Sequence, residues 1–204
     1  MTPWEQFFTV KIEKIFQEKK KILDIGGGLR ISKDKNNRYD PSRAWIIPFL
    51  AHVTYRIIDP VPDYHPDIVG DIHHLPLPDN SEDALICMAV LEHVESPWRA
   101  CEEIYRVLQP GGYAFLYVPF LYYYHPERGY YADYWRFTED GCRLLCKQFQ
   151  HIEIQSVRGA YGTVVRLTPL GRSKHIEQIA YFLDYWFGKL RSKQVSGYYI
   201  FLKK

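Results

Sequence analysis

Ile22-Leu23-Asp24-Ile25-Gly26-Gly27-Gly28 is the stretch whose reading decides the fold. Three apolar residues and one carboxylate run straight into a glycine turn, which is how a buried parallel strand enters a tight loop. Upstream, Thr2 with Glu5 forms a capping box and Pro3 takes the first helical position, where its missing N–H costs nothing. Trp4, Phe8, Ile12, Ile15 and Phe16 then recur at helical spacing, so a helix is predicted within residues 1–20 with one face on the domain. Downstream, residues 30–44 are polar and read as a loop. Trp45–Ala51 is apolar but holds Pro48, so a helix there is short or kinked.

The next strands are predicted at Val53–Ile58, Asp67–Asp71, Ala84–Met88 and Ala114–Val118. Ser96 caps a helix with Pro97 at its start, its apolar face carries Ala100, Ile104, Val107 and Leu108, and Pro110-Gly111-Gly112 stops it. Thr138 caps a helix running through Cys142, Leu145 and Phe149, and His151–Val157 alternates as a sixth strand. Ile176, Ile179, Ala180, Leu183, Trp186, Phe187 and Leu190 mark a late amphipathic helix whose default place is on the sheet, before a seventh strand at Tyr198–Leu202. Strands alternating with helices argue for an α/β architecture with a parallel sheet covered on both faces.

With 204 residues and 47% hydrophobic composition, the chain is of ordinary single-domain size. Lys plus Arg number 26 against 24 Asp plus Glu, so no field of one sign argues for nucleic acid or an anionic membrane. The opening residues lack the regions of a signal peptide, and no apolar run is long enough to span a bilayer, so a cytoplasmic protein is expected. Cys87, Cys101, Cys142 and Cys146 form no Cys-x-x-Cys pair; they read as reduced, mostly buried thiols, and no metal centre is expected from their spacing.

In open parallel sheets, ligands bind beyond the carboxyl ends of the strands where the strand order reverses. Gly26 and Gly28 allow close backbone approach there, and Asp24 can order the loop or reach a cationic group. Asp59 ends the next strand, where a carboxylate can accept two hydrogen bonds from ribose hydroxyls. A nicotinamide enzyme would share that carboxylate, but its G-x-G-x-x-G turn needs a third glycine that Gly26-Gly27-Gly28-Leu29-Arg30-Ile31 lacks.

These residues resemble a known family, the class I S-adenosylmethionine-dependent methyltransferases. Residues 22–28 look like its first motif, and Tyr55-Arg56-Ile57-Ile58-Asp59 like its second. Asp71 through Ala84, with Val90-Leu91-Glu92-His93-Val94 and the segment Glu102 through Gly112, is similar to the branch called methyltransferase type 11. His125-Pro126 and Asp133-Tyr134-Trp135-Arg136-Phe137-Thr138 also resemble the segment after the fifth strand in that branch. The matches cover most of residues 21–149 in the family's order; Arg30 departs from it, standing where a third glycine is common. The resemblance implies a Rossmann-like, seven-stranded, mostly parallel sheet with helices on both faces and an antiparallel last strand. It implies one methyltransferase domain over residues 1–204, with an N-terminal helix (1–20), a cofactor-binding half (21–118) and an acceptor-side half (119–204). S-adenosylmethionine would then lie with Asp24, Gly26 and Gly28 near its amino acid part, Asp59 on the ribose, Asp71 and Ile72 near adenine, and Met88 lining the same pocket.

Methyl transfer from a sulfonium is an in-line displacement, so the protein chiefly aligns the reactants and excludes water. If the acceptor must lose a proton, His93 and His125 are placed to take it; a hydrogen-bonded structural role is the alternative for each. His73 and His74 read as structural or exposed. The aromatic stretch from Tyr117 to Phe137 is expected to wall the acceptor side, with Tyr134 and Arg136 as substrate candidates; Arg136 either binds an anionic group or pairs with a carboxylate. The acceptor stays open among small molecules, sugars and lipid-linked compounds, and a homo-oligomer is possible. The rival readings are a catalytically silent cofactor- or partner-binding member of the same fold and a nicotinamide oxidoreductase.

Overall fold

The computed structural model describes residues 1–32 and 39–204; part of the polar loop predicted over 30–44 therefore lies outside the described residues. Helix α1 spans Pro3–Glu18. Its capping box is formed: Thr2 Oγ1 accepts the Glu5 N–H, and the Glu5 carboxylate accepts the Thr2 N–H. Phe8, Ile12, Ile15 and Phe16 are buried, so the predicted apolar face is the one that packs.

Strands β1 (Lys21–Ile25), β2 (Thr54–Asp59), β3 (Ile68–Val69), β4 (Glu82–Met88), β5 (Leu108–Pro119), β6 (His151–Val157) and β7 (Gly197–Lys203) build one sheet. Their order is β3-β2-β1-β4-β5-β7-β6. The first five pair in parallel, while β7 runs antiparallel between β5 and β6. From β1 the chain goes outward through β2 and β3, then returns to β4 on the opposite side of β1. The strand order thus reverses between β1 and β4, and that is where a crevice opens at their carboxyl ends. The expected α/β sheet, antiparallel last strand included, is the one observed.

Alternation along the strands divides the core into two layers. Leu23, Ile25, Leu85 and Cys87 face the layer packed by α2 (Pro97–Val107) and α3 (Glu139–Leu145). Ile22, Ala84, Ile86 and Phe115 face α1 and a 3₁₀ stretch at Pro41–His52. Pro48 lies inside that stretch; proline removes an α-helical donor and crowds the preceding turn, which agrees with 3₁₀ geometry rather than a long α-helix. All four cysteines are buried free thiols, with no disulfide among them.

Three local expectations need correction. Ser96 precedes α2, but its side chain makes no capping bond; its backbone N–H donates instead to His73 Nε2. Helix α2 ends at Val107, before Pro110-Gly111-Gly112, which falls at the irregular start of β5, where the pairing with β4 shifts register and Gly111 has φ +77°. Helix α5 (Lys174–Trp186) does not cover the sheet. It packs on α4 (Ala160–Arg166) and on short 3₁₀ turns, and leaves Ile179, Phe182, Tyr185 and Trp186 exposed, Trp186 by 83%. Among the described residues no helix is long and apolar enough to cross a membrane.

Candidate active site

The glycine turn after β1 is held from beneath. Asp24 is fully buried, and its carboxylate accepts the N–H groups of Gly28 at 3.1 Å and Leu29 at 3.0 Å and the hydroxyl of Tyr55 on β2. Burial pushes this carboxyl up to about 6 against the three donors that hold it down. Asp24 therefore orders the loop, and it is absent from the cavity wall above it. Gly26 turns the chain at φ +75°, and a Cβ there would stand 2.6 Å from Val90 Cγ2. A Cβ on Gly28 would meet Met88 Cβ at 2.7 Å and the Met88 carbonyl oxygen at 2.8 Å. Arg30, at the place of a third glycine, adopts the left-handed φ of +55° that glycine would take without strain.

Above this turn lies a cavity of about 260 Å³ at the carboxyl ends of β1, β2 and β4. Gly26, Gly28, Asp59, Asp71, Ile72 and Met88 are all in its wall. One Asp59 oxygen accepts the Val61 N–H at 2.8 Å, which fixes the carboxylate; burial raises its pKa. Asp71 accepts the His73 N–H at 2.9 Å and meets the His73 ring at 2.7 Å, so His73 is a structural bridge between this loop and α2.

A second cavity of about 730 Å³ adjoins the first, sharing Gly28, Arg30, Met88, Ala89, His93, Glu127 and Tyr131 as wall. His125, Glu92, Tyr117 and Tyr122 line it, together with Arg43, Arg158 and Arg166. Burial raises the Tyr117 phenol. Arg166 donates to the Tyr122 hydroxyl, and Arg158 pairs with Glu177 at 2.8 Å.

His93 and His125, separate candidates in the sequence, lie edge to face with ring centroids 4.9 Å apart. His93 Nδ1 donates to the Ala132 carbonyl at 2.7 Å, and burial lowers its pKa. His125 Nδ1 faces the Tyr123 carbonyl at 3.0 Å and the Asp133 carboxylate at 3.1 Å. Beside both rings, with Oε1 3.9 Å from each Nε2, lies Glu92, whose side chain is 1% exposed and which burial pushes up to about 8.

The other two substrate candidates are placed elsewhere. Tyr134 is half exposed and reaches toward Glu95, and it lines neither cavity. Arg136 grips Asp133 with both terminal guanidinium nitrogens, at 2.6 and 2.7 Å, and also donates to the carbonyls of Tyr122, Tyr123 and Trp135. Of its two sequence readings, pairing with a carboxylate is the observed one. Burial works to raise the Asp133 carboxyl, yet Arg136 and the His125 N–H hold it down at about 2. Sequence reasoning misses Glu92, which reads only as part of a motif. It also misses Arg43, Arg158 and Arg166, which stand outside every motif and meet only through folding.

Residues 52–116 match the model of a family described as a methyltransferase domain. A demethylmenaquinone methyltransferase of Chlamydia trachomatis is 32% identical over 98 residues, covering 45% of this chain and 41% of that protein. A ubiquinone/menaquinone biosynthesis C-methyltransferase of Vibrio cholerae is 31% identical over 101 residues, 45% of this chain and 38% of that protein. The chain thus spans about two fifths of the length of these curated relatives. A SAM-dependent methyltransferase from Archaeoglobus fulgidus superposes with a TM-score of 0.60 at 13% identity, over 98% of this chain and 94% of that one. In sheet order, motif order and matched domain, the chain is similar to the class I S-adenosylmethionine-dependent methyltransferases, and its fold is theirs.

Proposed function

We propose that the protein transfers a methyl group from S-adenosylmethionine to a small-molecule acceptor. The observation that carries this reading is the pair of adjoining cavities: one runs from the glycine turn to Asp59 and Asp71, and the other opens beside it past Met88 and His93. The residues present fit the cofactor. Gly26 and Gly28 leave no room for a side chain at the turn, Asp59 offers a fixed carboxylate suited to ribose hydroxyls, and Ile58, Pro60, Tyr64 and Ile72 supply apolar walls at the adenine end. S-adenosylmethionine supplies a methyl already activated on a sulfonium. The chain's own task is to orient the two ligands and exclude water, and Met88 and Tyr131, which line both cavities, wall the junction. His93 and His125 face the acceptor side as candidates to hold or move a proton there.

Two features bear on the acceptor. Arg43, Arg158 and Arg166 line its cavity and suit an anionic group such as a phosphate or carboxylate. The exposed apolar face of α5, with Lys189, Arg191 and Lys193 beyond its end, supports a lipid-linked acceptor taken up at an anionic membrane surface. The names of the two curated relatives, a demethylmenaquinone methyltransferase and a ubiquinone/menaquinone biosynthesis C-methyltransferase, support a small molecule over a macromolecule.

Calorimetric titration with S-adenosylhomocysteine and with NADH tests the cofactor. Micromolar binding of the first and none of the second is expected; tight NADH binding with no response to S-adenosylhomocysteine overturns the reading. Incubation with labelled S-adenosylmethionine and lipid or metabolite extracts then separates an active enzyme from a silent member.

A further inference from the structure

We infer that Glu92, His93 and His125 form a binding site for one divalent transition-metal ion, open to the acceptor cavity. The donor atoms of the three residues all lie within 4.8 Å of one another. Both imidazole Nε2 atoms stand 3.9 Å from Glu92 Oε1. Metal bonds of about 2.1 Å would set neighbouring donors roughly 3.0–3.5 Å apart, so loading needs each imidazole to close on Glu92 by less than about 1 Å and the most separated donors by less than about 2 Å.

The tautomers are already chosen. His93 Nδ1 and His125 Nδ1 each face carbonyl or carboxylate acceptors, on Ala132, Tyr123 and Asp133, so the protons belong on Nδ1 and each Nε2 is left as a lone-pair donor 3.9 Å from Glu92 Oε1. Metal-binding histidines are held in this way, with the far nitrogen donating to a carbonyl or carboxylate. Arg136 in turn fixes Asp133.

Glu92 supplies an independent observation. Its carboxylate is almost wholly buried, and among the described residues neither oxygen accepts a hydrogen bond. A buried carboxylate left this way is costly unless it holds a proton or something cationic meets it. The arginine aimed at this region is held by Asp133 instead.

Two imidazoles and one carboxylate suit zinc, cobalt, manganese or iron rather than magnesium or calcium, which prefer all-oxygen shells. Three protein ligands leave at least one coordination position open, and the cavity is on that side. There the ion would hold an oxygen of the acceptor and lower the pKa of its hydroxyl, the released proton passing to solvent. This role rests on the methyl-transfer reading; the binding site does not.

The test is titration of the chelator-treated full chain with Co²⁺, monitored by visible absorption and then by competition with Zn²⁺. One Co²⁺ per chain with ligand-field bands that Zn²⁺ abolishes is expected. Glu92→Gln and His125→Asn should each weaken Co²⁺ affinity by about tenfold or more, and His151→Asn, on the exposed face of β6, should leave it unchanged. S-adenosylhomocysteine binding by the same variants checks that they fold. Co²⁺ uptake without S-adenosylhomocysteine binding would sink the functional reading and leave the metal site standing. No saturable uptake, or uptake unaffected by both Glu92→Gln and His125→Asn, overturns the site; a proton shared with Glu92 would then be the occupant.

Discussion

The Tyr55 hydroxyl on β2 donates to the buried carboxylate of Asp24 on β1, so the strand that ends in the glycine turn is tied to its neighbour directly beneath the cofactor cavity. Its partners at Gly28 and Leu29 make Asp24 the fastener of the turn. This arrangement sets a pH dependence. The Asp24 pKa rises from 3.8 to about 6 on folding, so between those values the folded chain keeps a proton that the unfolded chain has released. The contribution therefore lowers stability as pH rises through that window, by on the order of 3 kcal/mol in full. Denaturant unfolding at several pH values should show that Asp24→Asn flattens the wild-type decline between pH 4 and 6. Parallel profiles for the two proteins would refute this.

Asp59→Ala should weaken S-adenosylhomocysteine binding by roughly 10- to 100-fold, the loss of charge-assisted bonds worth about 1.5–3 kcal/mol. The fold should survive, because among the described residues the Asp59 side chain makes only the local bond to Val61 N–H. Calorimetry reads the affinity, and an unchanged value would show that ribose does not sit at this carboxylate.

Gly28→Ala should both destabilise the fold and weaken cofactor binding. The added methyl would press on the Met88 backbone at 2.8 Å, where no side-chain rotation relieves it, and overpacking of this kind costs about 1–3 kcal/mol. A melting temperature equal to the wild type would mean that the turn has room to give.

Arg136→Ala should lower the melting temperature, since it leaves the Asp133 carboxylate buried beside His125 without its bidentate partner. Were Arg136 a substrate ligand instead, the melting temperature would hold and only acceptor affinity would change.

Trp186→Ala, at a residue 83% exposed, should alter unfolding free energy by no more than about 0.5 kcal/mol. It should nonetheless reduce sedimentation with vesicles of anionic lipid at low salt. Failure of the wild-type chain itself to sediment would remove the membrane from the acceptor reading.

The sequence by itself determined the sheet and the glycine turn beneath the first cavity. Burial on both faces requires unbroken apolar runs, and tight turns at strand ends require glycine, so Ile22–Gly28 and the strands after it could be read locally. The capped starts of α1 and α3 were equally local, because Thr2 and Thr138 bond to N–H groups three residues on. Tertiary structure alone decided the rest. Helix α4, with three β-branched residues and one glycine, has no helical signal of its own; its first N–H groups, on Tyr161 and Gly162, are met by the buried Asp184 carboxylate from α5. That packing in turn leaves the apolar stripe of α5 facing outward. Likewise Glu92 and His93 gain His125 only because β5 runs parallel beside β4 and delivers its outgoing loop to the same sheet edge. Local patterns fix which backbone bonds a segment can make by itself; which distant side chain completes a helix end or a charge cluster depends on strand order and packing, and neither is written in any short window of residues.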